Sequence, residues 1–187
     1  MTLSVREAIT TRRSIKNFNG ELVEKEVLNQ ILQDASWAPN HGNREPWRVV
    51  IATDEKLPKV HELLRDLAIP SWNQLEEATL AAQMKKFTTA GAYAFVLVPE
   101  DMRQKERLED YAAAASFLQN VQLLAWEQKI GSCWKTPGFL DHPKFREVLN
   151  ARVDERVIAM VQFGHFDEVP NGKERKPLTG FVTEFGQ

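Results

Sequence analysis

The sequence is poor in the residues that build covalent and metal frameworks. Its 187 residues include one cysteine, Cys133, so no disulfide can close within the chain. A lone cysteine fits a reducing compartment. The four histidines, His41, His61, His142 and His165, are scattered, and no Cys/His spacing suits zinc, so no metal site is expected. Neither G-x-G-x-x-G nor G-x-x-x-x-G-K-[ST] occurs, which leaves a Rossmann fingerprint and a P-loop without support. There is no excess of basic charge. Lys and Arg number 24 against 26 Asp and Glu, so neither nucleic acid nor an anionic membrane is an expected partner. Long apolar runs are also missing. The longest charge-free stretch, Tyr111 to Trp126, is 16 residues and contains Ser116, Gln119, Asn120 and Gln122. A membrane span needs ~20 apolar residues. The opening MTLSVREAITTRRS shows no apolar core of a signal peptide, so a cytoplasmic location is expected.

What is present is the pattern of one α+β domain, residues 1–187, with a central mixed sheet packed by helices. Ser4 to Thr11 reads as a helix opened by a Ser4-x-x-Glu7 capping box, with Val5, Ala8 and Ile9 inward. Arg12 and Arg13 close it, and Asn19-Gly20 is a turn. Glu24 to Ala38 carries a helical stripe of Val27, Leu28, Ile31, Leu32 and Ala35. Trp47 to Ala52, Ala92 to Val98 and Val157 to Phe163 read as buried strands. Leu57, Val60, Leu63, Leu64 and Leu67 mark another helix, and Pro70 to Thr89 a more polar helical stretch suited to a lid. His142 to Asn150 predicts a short helix with Pro143 in its first turn.

The most apolar part, Asp110 to Thr136, predicts a central helix buried on most sides, capped at Ile130-Gly131 and feeding the Gly131–Thr136 segment. From Glu168 the chain is broken by Pro170, Gly172, Pro177 and Gly180, yet it ends on apolar Phe181, Val182 and Phe185. That composition predicts an extension, residues 168–187, lying along a surface such as a partner subunit.

Two basic clusters stand out. Thr11-Arg12-Arg13-Ser14-Ile15-Lys16 gathers three cations and two hydroxyls, and Lys173, Arg175 and Lys176 form a second group. Arginine forks and hydroxyls suit phosphate oxygens, while the plainer reading is ordinary solvated charge. Cys133, beside a helix end, reads as a small packing residue rather than a nucleophile.

Four segments, in order, resemble signatures of the nitroreductase family of FMN-dependent oxidoreductases. They are Arg12-Arg13-Ser14-Ile15-Lys16-Asn17-Phe18, the run Ala38-Pro39-Asn40-His41-Gly42-Asn43-Arg44-Glu45-Pro46-Trp47, the segment Gly131-Ser132-Cys133-Trp134-Lys135-Thr136, and Lys173-x-Arg175-Lys176-Pro177-Leu178. The chain is most similar to the compact bacterial branch of NAD(P)H nitroreductases. It departs from the family pattern at Lys16, where arginine is usual, at Asn40 and His41, where serines are common, and at Glu45, where glutamine is usual. The W-K-T-P run also lacks a glycine after its threonine.

The resemblance implies a homodimer with FMN at the subunit interface and NAD(P)H as co-substrate. Arg12, Arg13, Ser14 and Lys16, with Lys173 and Arg175, would hold the FMN phosphate and ribityl chain. His41, Asn43 and Glu45 would reach the flavin, often from the partner subunit, and Lys135, Thr136 and Pro137 would line it after the central helix. Glu45 has a second reading, as a surface partner of Arg44 or Arg48. The implied reaction is ping-pong hydride transfer to nitroaromatics, quinones or activated alkenes, with no catalytic side chain required. A specialised dehalogenase or enone reductase, or a non-catalytic FMN-binding protein, is the alternative.

Overall fold

The computed structural model describes residues 3–186. Its helices are α1 (Val5–Thr11), α2 (Lys25–Ala35), α3 (Leu57–Ala68), α4 (Glu77–Thr88), α5 (Gln104–Glu127) and α6 (Pro143–Val148). The strands are β1 (Arg48–Ala52), β2 (Ala92–Pro99), β3 (Gly131–Lys135) and β4 (Glu155–Gly164), in the order β1-β2-β4-β3. All three strand pairings are antiparallel, and parallel pairing enters the sheet through one bridge, Ser14 to Ser132. Among the described residues no helix is long and apolar enough to cross a membrane.

β2 explains why its sequence is apolar without alternation. Tyr93, Phe95 and Leu97 enter a core with Leu63 and Leu64 of α3, Phe87 of α4 and Phe145 of α6. Ala92, Ala94 and Val96 enter a second core with Leu28 and Ile31 of α2 and Phe117, Leu118 and Val121 of α5. A strand covered on both faces by helices has no polar face to show, so every position is apolar. β4 serves the same two cores, and a bulge opposite Val96 and Leu97 inserts Ile158 between Val157 and Ala159. β1 differs. It is an edge strand, so Arg48 to Ile51 are only half-buried rather than fully buried as expected.

α5 buries one stripe, which includes Asp110, Ala113, Ala114, Phe117, Leu118, Val121 and Ala125, the spacing of a helix packed along one side. Leu108, Ala112, Ala115 and Gln119 face outward and are exposed, so burial on most sides is not reached within one chain. The helix also starts six residues before Asp110, at Gln104. Its first turns are solvated, with Arg103–Glu106 and Lys105–Glu109 ion pairs, and charge-free composition could not mark that start.

The expected Gly131 cap is replaced by Lys129. Lys129 sits at φ 60°, its N–H donates to the Trp126 carbonyl, and the Ile130 N–H reaches back to Ala125 at 2.8 Å. That is a Schellman closure with lysine in the left-handed position. Gly131 is needed for room instead. A Cβ there would stand 2.8 Å from Ile15 and from Phe166.

At α1 the capping box forms as expected, Ser4 Oγ accepting from the Glu7 N–H while Glu7 accepts from the Ser4 N–H. Only Ala8 is buried, however, and Val5 and Ile9 are exposed because no element of the chain covers that side. The Pro70–Thr89 stretch is interrupted. Ser71, at φ 53°, starts a single turn, Trp72–Gln74, and α4 begins at Glu77. Beyond Glu168 the described tail holds one short turn, Leu178–Gly180, and leaves Leu178, Phe181, Val182 and Phe185 exposed.

Candidate anion and cofactor site

Beyond α1 the chain becomes extended and locks onto β3. The Ile15 N–H donates to the Ser132 carbonyl at 3.0 Å, and Ile15 and Phe18 drive into the core. Alternation then turns Ser14 and Lys16 outward, where both are exposed. Arg13 folds back, its Nη1 donating to the carbonyls of Thr10 (3.0 Å) and Arg12 (2.9 Å). These are carbonyls a short helix leaves without partners.

The C-terminal strip crosses over this segment. Trp126 stacks on Phe166 at 5.6 Å and donates to the Thr11 hydroxyl at 3.0 Å, so the start of the strip, α5 and the end of α1 are tied together. Further along, Gly172 lies so close to the Arg13 guanidinium that a side chain would collide with it. Strip and segment enclose a cavity of about 660 Å³ lined by Arg12, Arg13, Ser14, Lys16, Lys173 and Arg175, with Asp167, Glu168 and Asn171. The two basic clusters, about 160 residues apart in sequence, therefore face one space.

Its electrostatics are unbalanced. None of the five cations pairs with a carboxylate among the described residues. Arg12 Nη1 and Arg13 Nε are buried without a hydrogen-bond partner. Burial, and then the like charges of Arg13 and Arg175, pull the Arg12 pKa below the usual guanidinium range. A buried donor left without an acceptor costs about 1–3 kcal/mol, and more when it is charged. A phosphate monoester supplies the missing charge and acceptors together, and the residues present fit it.

A second cavity, of about 450 Å³, lies between α3, α4 and the end of β3. Leu67, Phe87, Pro137, Phe139 and Met160 form its walls, and Lys86 and Lys135 are its charged members. Lys135 is half-buried. Burial, and then Lys86 and Lys16, lower its pKa, which puts it within electrostatic reach of both cavities. Lys86 escapes sequence reasoning because MKKF reads as any amphipathic helix end. Its backbone is held from beneath. Gln162 donates to the Lys86 carbonyl (2.9 Å) and Tyr93 to the Phe87 carbonyl (2.7 Å), both side chains being fully buried. Thr136 is exposed and lines neither cavity.

His41, Asn43 and Glu45 lie elsewhere, on the loop between α2 and β1. The Asn40 side chain accepts from the Glu45 N–H at 2.9 Å, closing the loop, while Gly42, Asn43 and Glu45 all adopt positive φ. Arg44 anchors it to α5, reaching buried Asp110 at 2.6 Å and the Glu106 carbonyl at 3.0 Å. All three candidate side chains are exposed and border neither cavity within one chain. The expected pairing of Glu45 with Arg44 or Arg48 does not form. Arg44 is taken by Asp110, and Arg48 by Glu155 through two bonds of 2.7 and 2.8 Å. Glu45 thus combines a positive φ with an exposed carboxylate that forms no ion pair among the described residues.

The sequence profile of the nitroreductase family matches residues 9–165. The chain belongs to the nitroreductase family. YfhC of Bacillus subtilis (strain 168), which carries an NAD(P)H nitroreductase name, is 34% identical over 182 residues, covering 96% of this chain and 93% of that protein. A crystal structure of a nitroreductase-like family protein from Bacillus cereus is 35% identical with a TM-score of 0.85, covering 100% and 98% of the two chains. The FMN and NADPH-dependent nitroreductase NfnB from Sphigopyxis sp. strain HMH has 21% identity and a TM-score of 0.76, covering 99% and 100%, a likeness of fold. The family profile stops before Lys173. The Bacillus cereus protein nevertheless spans the whole of this chain, so the nitroreductase fold accommodates the C-terminal strip as well.

Proposed function

We propose that this nitroreductase binds FMN and uses it to pass hydride from NAD(P)H to nitroaromatics, quinones or similar acceptors, with NAD(P)H and acceptor visiting one site in turn. The supporting observation is the pair of buried, partnerless nitrogens, Arg12 Nη1 and Arg13 Nε, beside the cavity that Lys173 and Arg175 complete. Arg12, Arg13, Lys173 and Arg175 would hold the phosphate, Ser14 and Lys16 the ribityl hydroxyls, and Lys135, Thr136 and Pro137 would approach the flavin from the end of β3. FMN supplies the two-electron hydride chemistry when bound, and the protein binds, orients and sets the electrostatics. For a nitro acceptor, NAD(P)H and one proton convert the nitro group to nitroso, releasing NAD(P)+ and water. Steady-state NAD(P)H oxidation with two varied substrates tests this reading. Parallel reciprocal plots are expected, and acceptor-independent rates or no oxidation would defeat it.

We further propose a homodimer. The outward stripe of α5, exposed Val5 and Ile9 of α1, and the apolar tail need a cover that one chain lacks. Residues 168–187 would lie on the partner subunit. Such an assembly would also let His41, Asn43 and Glu45 of one subunit reach the site of the other.

Glu45 then has a measurable role. Reduction places negative charge on the flavin, and a carboxylate ~6 Å away at an effective dielectric near ~20 opposes it by about 3 kcal/mol. For a two-electron couple that is roughly 60 mV. Glu45→Gln is expected to raise the midpoint potential by tens of millivolts with little change in FMN affinity, read by potentiometric titration beside the wild type. An unchanged or lowered potential would leave Glu45 without a role toward the cofactor.

A further inference from the structure

The C-terminal strip forms one wall of the arginine cavity, yet little within the chain holds it there. Its last anchors on the body are His165, whose carbonyl accepts from the Asn19 N–H at 3.0 Å, and Phe166, stacked on Trp126. From Asp167 onward every described residue is exposed. Asn19 donates to Asp167 at a long 3.4 Å, and between Glu168 and Lys176 no hydrogen bond or ion pair to the body forms among the described residues. What remains is the contact of Gly172 with the Arg13 guanidinium.

The strip also meets charge of its own sign. Lys173 and Arg175 face Arg12, Arg13 and Lys16 across the cavity. Burial, and then the charges of Arg13 and Arg175, lower the Arg12 pKa, so the cation on the strip is felt by the body as repulsion. Asp167 and Glu168, the acids at the start of the strip, pair with none of these cations among the described residues. A phosphate between the clusters reverses the sign. Arg12 and Arg13 belong to the body and Lys173 and Arg175 to the strip, so an anion held by all four favours the docked strip through the latter two.

We propose that residues 168–176 are a strap closed by the phosphate of the cofactor, so that the phosphate rather than the flavin ring sets how long the cofactor stays bound. Gly172 is the positioning residue of this strap. It acts through Arg13, whose Nη1 is fixed on the carbonyls of Thr10 and Arg12, and its lack of a side chain lets the strip cross that guanidinium. The inference rests on the FMN reading of this cavity.

Trypsin reads the strap directly. Lys173 and Arg175 are cleavage sites within it, while Pro177 blocks cleavage after Lys176. Cleavage in a segment that opens and closes quickly follows the open population. The full chain, freed of cofactor by dialysis, is digested with FMN, with riboflavin, with inorganic phosphate and with no addition, and mass spectrometry follows the loss of residues 174–187. FMN is expected to slow cleavage at both sites about tenfold or more. Inorganic phosphate slows it in part, and riboflavin leaves it at the rate of the free protein. Gly172→Val, loaded with FMN, is expected to be cut like the free protein and to release FMN about tenfold faster than the wild type, with riboflavin affinity unchanged. Riboflavin protection equal to that of FMN would overturn the proposal, because the ring would then order the strip. So would full protection in FMN-loaded Gly172→Val. A protein that takes up no FMN yet is protected by phosphate keeps the strap and fails the cofactor reading. An FMN-loaded wild type cut at the rate of the free protein fails this inference alone.

Discussion

Replacing Arg12 and Arg13 together by alanine is expected to weaken FMN binding by roughly two to four orders of magnitude, from two charge-assisted contacts of about 1.5–3 kcal/mol each. The same variant should fold, and its cofactor-free form should melt no lower than the wild type. The sign follows from the site's electrostatics. Arg12 is partly buried, beside Arg13 and Arg175, and its pKa is lowered, so the empty folded state holds that charge unwillingly. Removing it relieves the cofactor-free protein while it disables the loaded one. Loss of the two capping bonds from Arg13 to Thr10 and Arg12 offsets part of the relief, since α1 is only seven residues long. Flavin fluorescence titration and a thermal melt of the same samples check both halves. Unchanged affinity contradicts the phosphate assignment. Lost affinity with a collapsed melt would mean that the arginines serve the fold rather than the ligand.

The largest stability effect is expected at Arg44. Asp110 is 5% exposed on α5, and Arg44 is its ion-pair partner at 2.6 Å. Arg44→Ala leaves a buried carboxylate uncompensated, which costs about 3–5 kcal/mol. Removing both partners avoids the orphaned charge, so Arg44→Ala with Asp110→Ala should recover a substantial part of the loss. Because Arg44 pins the loop that carries His41, Asn43 and Glu45, the single variant should also blur any effect these residues exert on the flavin. Denaturant unfolding of the two single variants and the double variant closes the cycle. A cost below ~1 kcal/mol for Arg44→Ala would show a pair that water already screens.

Most of the fold could be read from patterns with a direct physical cause. The capping box at Ser4, the stripe of α2, the unbroken apolar run of β2 and the mostly apolar run of β4 around Gln162 each report burial or backbone satisfaction locally, and each appears where expected. β3 carries no strand pattern in the sequence, since Gly131 and Lys135 are poor strand formers. Pairing with β4 makes it a strand, and that is a long-range fact. Lys129 as a helix cap was equally hidden. Glycine nearby looked the better candidate, and only the close approach of Ile15 and Phe166 shows what Gly131 is for. Val5 and Ile9 follow the helical period yet are exposed, because periodicity marks an apolar face without saying what, if anything, covers it.

The same division holds at the site. Arg12, Arg13, Ser14, Lys16, Lys173 and Arg175 were legible as two basic clusters, while their convergence on one cavity depends on the strip folding across α1's end. Lys86 carried no signal. It lines the second cavity beside Lys135, and Lys135 also feels the charge of Lys16, so three separate segments meet around Lys135 only in the folded chain. Glu45 was legible as a departure from the family pattern, but its positive φ and the engagement of Arg44 and Arg48 elsewhere are properties of the folded loop.

Sedimentation velocity of the purified wild type, followed in the flavin's visible absorbance band after incubation with FMN and removal of the excess, tests the central claim most directly. The account predicts a single yellow boundary at the mass of two chains, with one FMN per chain, and no boundary in that band for the Arg12→Ala, Arg13→Ala variant. A wild type that sediments colourless after exposure to FMN would contradict the cofactor site. A fully loaded boundary at the mass of one chain would contradict the dimer.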